Sequence, residues 1–188
     1  MAPFLRRVAG RRLPIALLRH PVRLVRALLQ RDVDTVKALA CGAVRGIEAS
    51  VLAREGEAFA RQVHDGWLRI DTVARVLRHR ELGHRVVLVS ASLDPYLSPL
   101  GALLDVDGVV CTRLEIGPDG RATGELAGAN CRGPEKERRL RAWLEREGLA
   151  GAELWAYGDS AGDRELLGMA DHPRQVGAVM LPPEPADI

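Results

Sequence analysis

At Gly83 the hydrophobic period of this chain changes, and that change constrains its fold more than any other feature. Upstream, Leu13, Leu17, Leu18, Leu24, Val25, Leu28 and Leu29 recur at helical spacing, and Pro14 and Pro21 break the run into short pieces. Asp32 or Asp34 can cap the next helix, which carries Val36, Leu39, Ala40 and Val44. A longer helical stretch covers about 47–77, interrupted near Asp65-Gly66. No strand signal occurs in this part, so residues 1–80 are expected to form an all-helical module.

Beyond Gly83, Arg85-Val86-Val87-Leu88-Val89-Ser90 is a nearly continuous β-branched run, the pattern of a strand buried on both faces of a parallel sheet. A helix is expected over Asp94–Leu104 and a second strand over Gly108–Cys111. Arg113–Leu126 should form a hairpin turning at Gly117-Pro118-Asp119-Gly120. Gly133-Pro134 opens a helix to Glu147, closed by Gly148. Leu154–Tyr157 reads as a third strand, Asp163–Ala170 as a short helix, and Gln175–Leu181 as a fourth strand before a loose proline-rich end. Strands alternating with helices imply an α/β, doubly wound parallel sheet over residues 81–188.

Composition narrows the function classes. With 188 residues, 47% hydrophobic and 28% charged, the chain can bury a core and is neither disordered nor a multi-span membrane protein. Cys41, Cys111 and Cys131 have no metal-finger spacing and read as free thiols in a reducing, cytoplasmic compartment. Residues 1–31 hold eight arginines and no acid, leaving the rest of the chain acidic on balance. Such a start is either a solvated helical surface, a transit peptide or a peripheral membrane-contact segment. It lacks interleaved aromatics, so nucleic acid is not an expected partner.

Ligands of open α/β sheets sit outside the carboxyl ends of the strands. Three features occupy such positions. Ser90, in Val-Ser-Ala-Ser-Leu-Asp, offers a hydroxyl and the N–H groups of a turn, Ala91 included, as a phosphate cradle. The alternative is that Ser90 or Ser92 caps the helix starting near Asp94. In Gly158-Asp159-Ser160-Ala161-Gly162-Asp163, two carboxylates four residues apart suit Mg²⁺, although Asp163 could instead be a helix cap. Lys136 is one of only two lysines, with Lys37, among 27 basic residues. A lysine retained in so arginine-rich a chain suggests a confined site that needs a compact ammonium.

In this order, the three elements resemble the haloacid dehalogenase (HAD) superfamily, subfamily IB, whose members include phosphoserine phosphatase. Val87–Ser92 is similar to the second motif, Asn130–Lys136 to the third and Tyr157–Asp163 to the fourth. The resemblance implies a HAD-type Rossmann-like core, a helical cap at residues 1–80, and Mg²⁺-dependent hydrolysis of a small phosphorylated substrate through an aspartyl-phosphate. It assigns catalysis to Ser90 and Lys136, substrate binding to Ser90, Ala91 and Lys136, and metal binding to Asp159 and Asp163.

The family's first motif, an apolar strand ending in Asp-x-Asp-Gly-Thr, should precede the cap, whereas Met1–Arg7 is already cap-like. That motif carries the attacking aspartate and the general acid/base, so the resemblance implies a central first strand missing from this chain. The missing strand would lie between those ending at Ser90 and Asp159. The accompanying alternative is a catalytically inactive truncated or pseudo-phosphatase with a binding role. Leu103-Leu104-Asp105-Val106-Asp107-Gly108 spells a similar text, but its acids precede an apolar run instead of ending one, which makes it a helix-to-strand loop.

Overall fold

A computed structural model describes residues 1–177 and Leu181. Six helices lead the chain: α1 (Ala2–Ala9), α2 (Arg12–Leu18), α3 (Pro21–Leu29), α4 (Val33–Cys41), α5 (Ala49–Gly66) and α6 (Ile70–Glu81). Pro14 and Pro21 fall in the first turns of α2 and α3, where a missing N–H costs nothing. Asp32 caps α4 by accepting from the Thr35 N–H at 2.9 Å.

These helices pack by converging their few large side chains. Both phenylalanines of the chain, Phe4 and Phe59, meet Tyr96 with ring centroids 5.0 and 5.1 Å away, and each other at 5.6 Å. Leu5, Val44, Leu52 and Leu93 complete this core, which joins the helical layer to the α/β part. Burial of that kind supplies most of the helices' stability, since pieces this short do not persist alone.

In the α/β part, β1 (Val87–Leu93) is followed by α7 (Asp94–Leu103) and returns as β2 (Gly108–Thr112), parallel to β1 with Val87 opposite Gly108 and Ser90 opposite Cys111. A hairpin follows, β3 (Leu114–Ile116) against β4 (Ala122–Leu126). Next come α8 (Pro134–Arg146), β5 (Trp155–Gly158), a 3₁₀ turn (Ala161–Asp163), α9 (Arg164–Gly168) and β6 (His172–Gln175), parallel to β5.

The expected fourth strand is displaced: pairing with β5 runs over 172–175, ending where the sequence pattern begins it. His172 stacks on Trp155 at 3.7 Å and bonds Glu153, which anchors this earlier register. Pro173 is tolerated because β6 is an edge. Residues 178–180 of that expectation, and the proline-rich end, lie outside the described residues.

Among the described residues β1 pairs only with β2, and β5 only with β6. The parallel strands therefore form two pairs. Between them runs a groove of about 490 Å³ lined by residues 86–89, residues 154–157, Trp143 and Leu166. The Asp105-Val106-Asp107-Gly108 segment lies at the opposite end of the strands from Ser90. There Asp107 accepts from the Val86 N–H at 2.7 Å and pairs with Arg85, and Asp105 pairs with Arg80. These contacts make it the helix-to-strand loop expected of it.

Candidate active site

The site begins where β1 leaves its ladder. After Ser90 the register with β2 shifts, and the Ser90 hydroxyl accepts from the Ser92 N–H at 3.1 Å. Neither serine caps α7, whose N-cap is Leu93 with no side-chain cap, so that alternative is set aside. Asp94 accepts from the Leu114 N–H instead, tying the start of α7 to the hairpin.

Lys136 reaches this turn from α8. It is only 7% exposed, and its Nζ donates to the Val89 carbonyl at 3.1 Å and pairs with the Asp163 carboxylate. A cation in the first turn of a helix opposes the helix dipole, and the Asp163 charge compensates. Gly133, just before α8, adopts φ +58° and donates its N–H to the Gly162 carbonyl at 3.0 Å. That bond fixes the lysine-bearing helix to the aspartate-bearing loop.

Asp163 is held from both sides. Its second oxygen accepts from the Ser160 N–H at 3.0 Å and the Ser160 hydroxyl at 2.6 Å, forming a capping box. Burial pushes its carboxyl upward, but the bonds from Lys136 and Ser160 outweigh this and leave it below the usual carboxylate range. Gly158 makes room for this arrangement, since a Cβ there would come within 2.6 Å of the Asp163 Cβ. Asp159, one residue past β5, is exposed. Across the site, the Asp71 hydrogen bond raises the Arg69 guanidinium, with the Asp159 charge adding to it.

Of the expected residues, the structure thus ties Lys136 and, through it, Asp163 to the end of β1 that carries Ser90 and Ala91. Asp159 sits at the end of β5. The two acids differ in availability: both oxygens of Asp163 are engaged, whereas Asp159 is open to solvent. Among the described residues no cluster of three His, Cys, Asp or Glu could hold a metal. A hard cation needs only one or two protein carboxylates when water and substrate phosphate fill the remaining positions, and Asp159 fits that minimum.

Lys37 was not among the expected site residues. It reaches from α4 across the layers and is 3% exposed. Its Nζ donates to the Ala91 carbonyl, to Thr112 Oγ1 at 3.0 Å and to Asn130 Oδ1 at 2.5 Å. Asn130 in turn donates to Asp34 at 2.6 Å, and the Thr112 hydroxyl donates to Asn130 at 2.7 Å. Burial lowers the Lys37 amine to about 8, while three acceptors match its three donors and keep it an ammonium at neutral pH. Both lysines of the chain therefore bind β1 carbonyls flanking Ser90, Lys136 at Val89 and Lys37 at Ala91. The Ala91–Ser92 peptide is fixed at both its carbonyl and its N–H. The scarcity of lysine was the signal for both.

The haloacid dehalogenase-like hydrolase family model matches residues 1–168 of this chain. The chain belongs to that family. Protein CicA of Caulobacter vibrioides is 35% identical over 169 residues, which cover 89% of this chain and 75% of CicA. Phosphoserine phosphatase SerB2 of Mycobacterium tuberculosis is 35% identical over 99 residues, 53% of this chain and 24% of that protein. A solved probable phosphoserine phosphatase from Vibrio cholerae superposes with TM-score 0.62 at 18% identity, covering 88% of this chain and 48% of that one. This last likeness is one of fold. It agrees with a Rossmann-like α/β core under a helical cap.

Proposed function

We propose that this hydrolase is a phosphatase that cleaves a small phosphomonoester through an aspartyl-phosphate, with residues 1–80 as substrate-selecting cap and 81–188 as catalytic core. The observation that carries this reading is the pair of buried lysines bracketing Ser90, one of them coupled to Asp163. A turn so fixed presents a hydroxyl and N–H groups without reorganising as charge develops, which is the main requirement of phosphoryl transfer.

In this reading the Ser90 hydroxyl and the Ala91 N–H bind equatorial phosphoryl oxygens. Lys136 offsets their charge, and Asp163 aims Lys136. Asp159 would hold Mg²⁺, which supplies Lewis-acid stabilisation of the phosphoryl group. The attacking carboxylate would arrive on an apolar strand seated between β1 and β5, pairing the two edges that face the groove. It would displace the alcohol in line, and water would then release phosphate from the acyl-phosphate. Burial raises the Cys41 and Cys111 thiols to about 11 and keeps them protonated and unreactive.

The test is p-nitrophenyl phosphate hydrolysis with Mg²⁺ by this chain and by a form extended upstream by one strand, each with Ser90→Ala and Lys136→Ala variants. The expected result is activity that requires the extension and falls at least about 100-fold in either variant. Inactivity of both forms would refute the phosphatase reading. Equal activity in both would refute the strand-borne nucleophile.

A further inference from the structure

The helical layer exposes an apolar face that no other described residue buries. On α3, Val22, Val25 and Leu29 recur at i, i+3 and i+7 on one side, while Ala27 faces inward and is buried. Val22 is 80% exposed and Leu29 81%. Ile15 and Leu18 of the neighbouring α2 are also exposed. A shallow depression lined by Val22, Val25, Arg26 and Leu29 runs along α3. Side chains of this size so far out of a core mark an interaction surface.

Charge identifies the occupant. Arg12 on α2, Arg23 and Arg26 on α3, and Arg11 and Arg19 at the ends of α2 are all exposed, and residues 1–31 contain no acid at all. A second copy meeting the same face about a two-fold axis would press arginines against arginines. An anionic bilayer supplies dispersed phosphates at headgroup depth and hydrocarbon just beneath. Arginine stems can lie along that boundary with their heads in the headgroups. No helix among the described residues is long and apolar enough to cross a membrane, so the contact lies in the plane of the surface.

We propose that α2 and α3 form a docking surface for an anionic lipid bilayer, held by apolar insertion of Val22, Val25 and Leu29 and by the exposed arginines. This stands independently of the phosphatase reading, because none of these residues belongs to the candidate site.

The experiment is vesicle flotation of the full chain with phosphatidylcholine alone and with roughly one-third phosphatidylglycerol, at low and high salt. Flotation is expected only with the anionic vesicles and is expected to weaken with salt. Arg23→Gln/Arg26→Gln should weaken it about 25-fold, each arginine near an anionic surface contributing about fivefold. Val22→Asp/Leu29→Asp should abolish it, with far-ultraviolet circular dichroism unchanged because both positions are exposed. Absence of flotation, equal flotation with neutral vesicles, or unchanged flotation of the aspartate variant would each overturn the proposal. So would a dimer in gel filtration that the aspartate variant dissolves, since a second copy would then cover the face.

Discussion

Replacing Lys136 by Met tests whether the buried pair with Asp163 organises the site. The substitution keeps the length of the side chain and removes its charge. It leaves the Asp163 carboxylate, with only 6% of its side chain exposed, without its cation, and the Val89 carbonyl without a donor. Breaking one partner of a buried ion pair costs about 3–5 kcal/mol. The two bonds from Ser160 persist, which places this case near the lower end, about 3 kcal/mol. For a chain of this size that corresponds to a fall in Tm of about 6–12 °C. Lys136→Met/Asp163→Leu removes both charges and should recover about half the loss, the remainder being the lost capping box. Urea unfolding at pH 7 of the parent, both single variants and the double variant gives the coupling energy directly. A Lys136→Met loss under about 0.5 kcal/mol, or a double variant whose loss equals the sum of the singles, would show that the pair is not a coupled unit.

Other expectations follow from the same contacts. Asp163 titrates below its unfolded value, so its contribution is present above pH ~4 and is lost as pH falls through the folded pKa; in Lys136→Met that dependence should weaken, since only the Ser160 bonds then hold the carboxylate. Lys37→Met leaves the Ala91 carbonyl without its cation and should cost about 2 kcal/mol in thermal unfolding, and in the form extended upstream it should lower kcat more than it raises KM. Because Lys37 titrates near 8 when folded and near 10.5 when unfolded, it contributes a gain in stability as pH rises between those values, opposed by the loss from the buried Cys41 and Cys111 thiols; Lys37→Met lacks that contribution, so its stability should fall more steeply with pH across that window than the parent's. Gly158→Ala forces the Asp163 Cβ aside and should cost about 1–3 kcal/mol, together with most of the activity of the form extended upstream. Asp159→Asn, at an exposed position, should leave Tm within about 1 °C of the parent, while in the form extended upstream it should raise the Mg²⁺ concentration needed for half-maximal activity.

Local chemistry made much of this legible. The switch from helical spacing to β-branched runs at Gly83 places nearly every element, and Gly117–Gly120 and Gly133-Pro134 mark a turn and a helix start that the structure reproduces. The β6 register was not legible, because it depends on His172 stacking on Trp155 across two strands. Nor was the division of labour between Asp159 and Asp163, which rests on Ser160 and Lys136 claiming both Asp163 oxygens. The reach of Lys37 to Ala91 spans 54 positions and joins two layers, so no local pattern reveals it. Only its rarity, the same argument that singled out Lys136, pointed toward it.

The most direct measurement is an NMR titration of the chain with orthophosphate in the presence of Mg²⁺, following the backbone amides of residues 90–92 and the Lys136 side chain. The expected result is saturable shifts at Ala91, Ser92 and Lys136 that vanish in Ser90→Ala. Saturable shifts elsewhere, with these resonances unmoved, would contradict a phosphoryl site between Ser90 and Lys136.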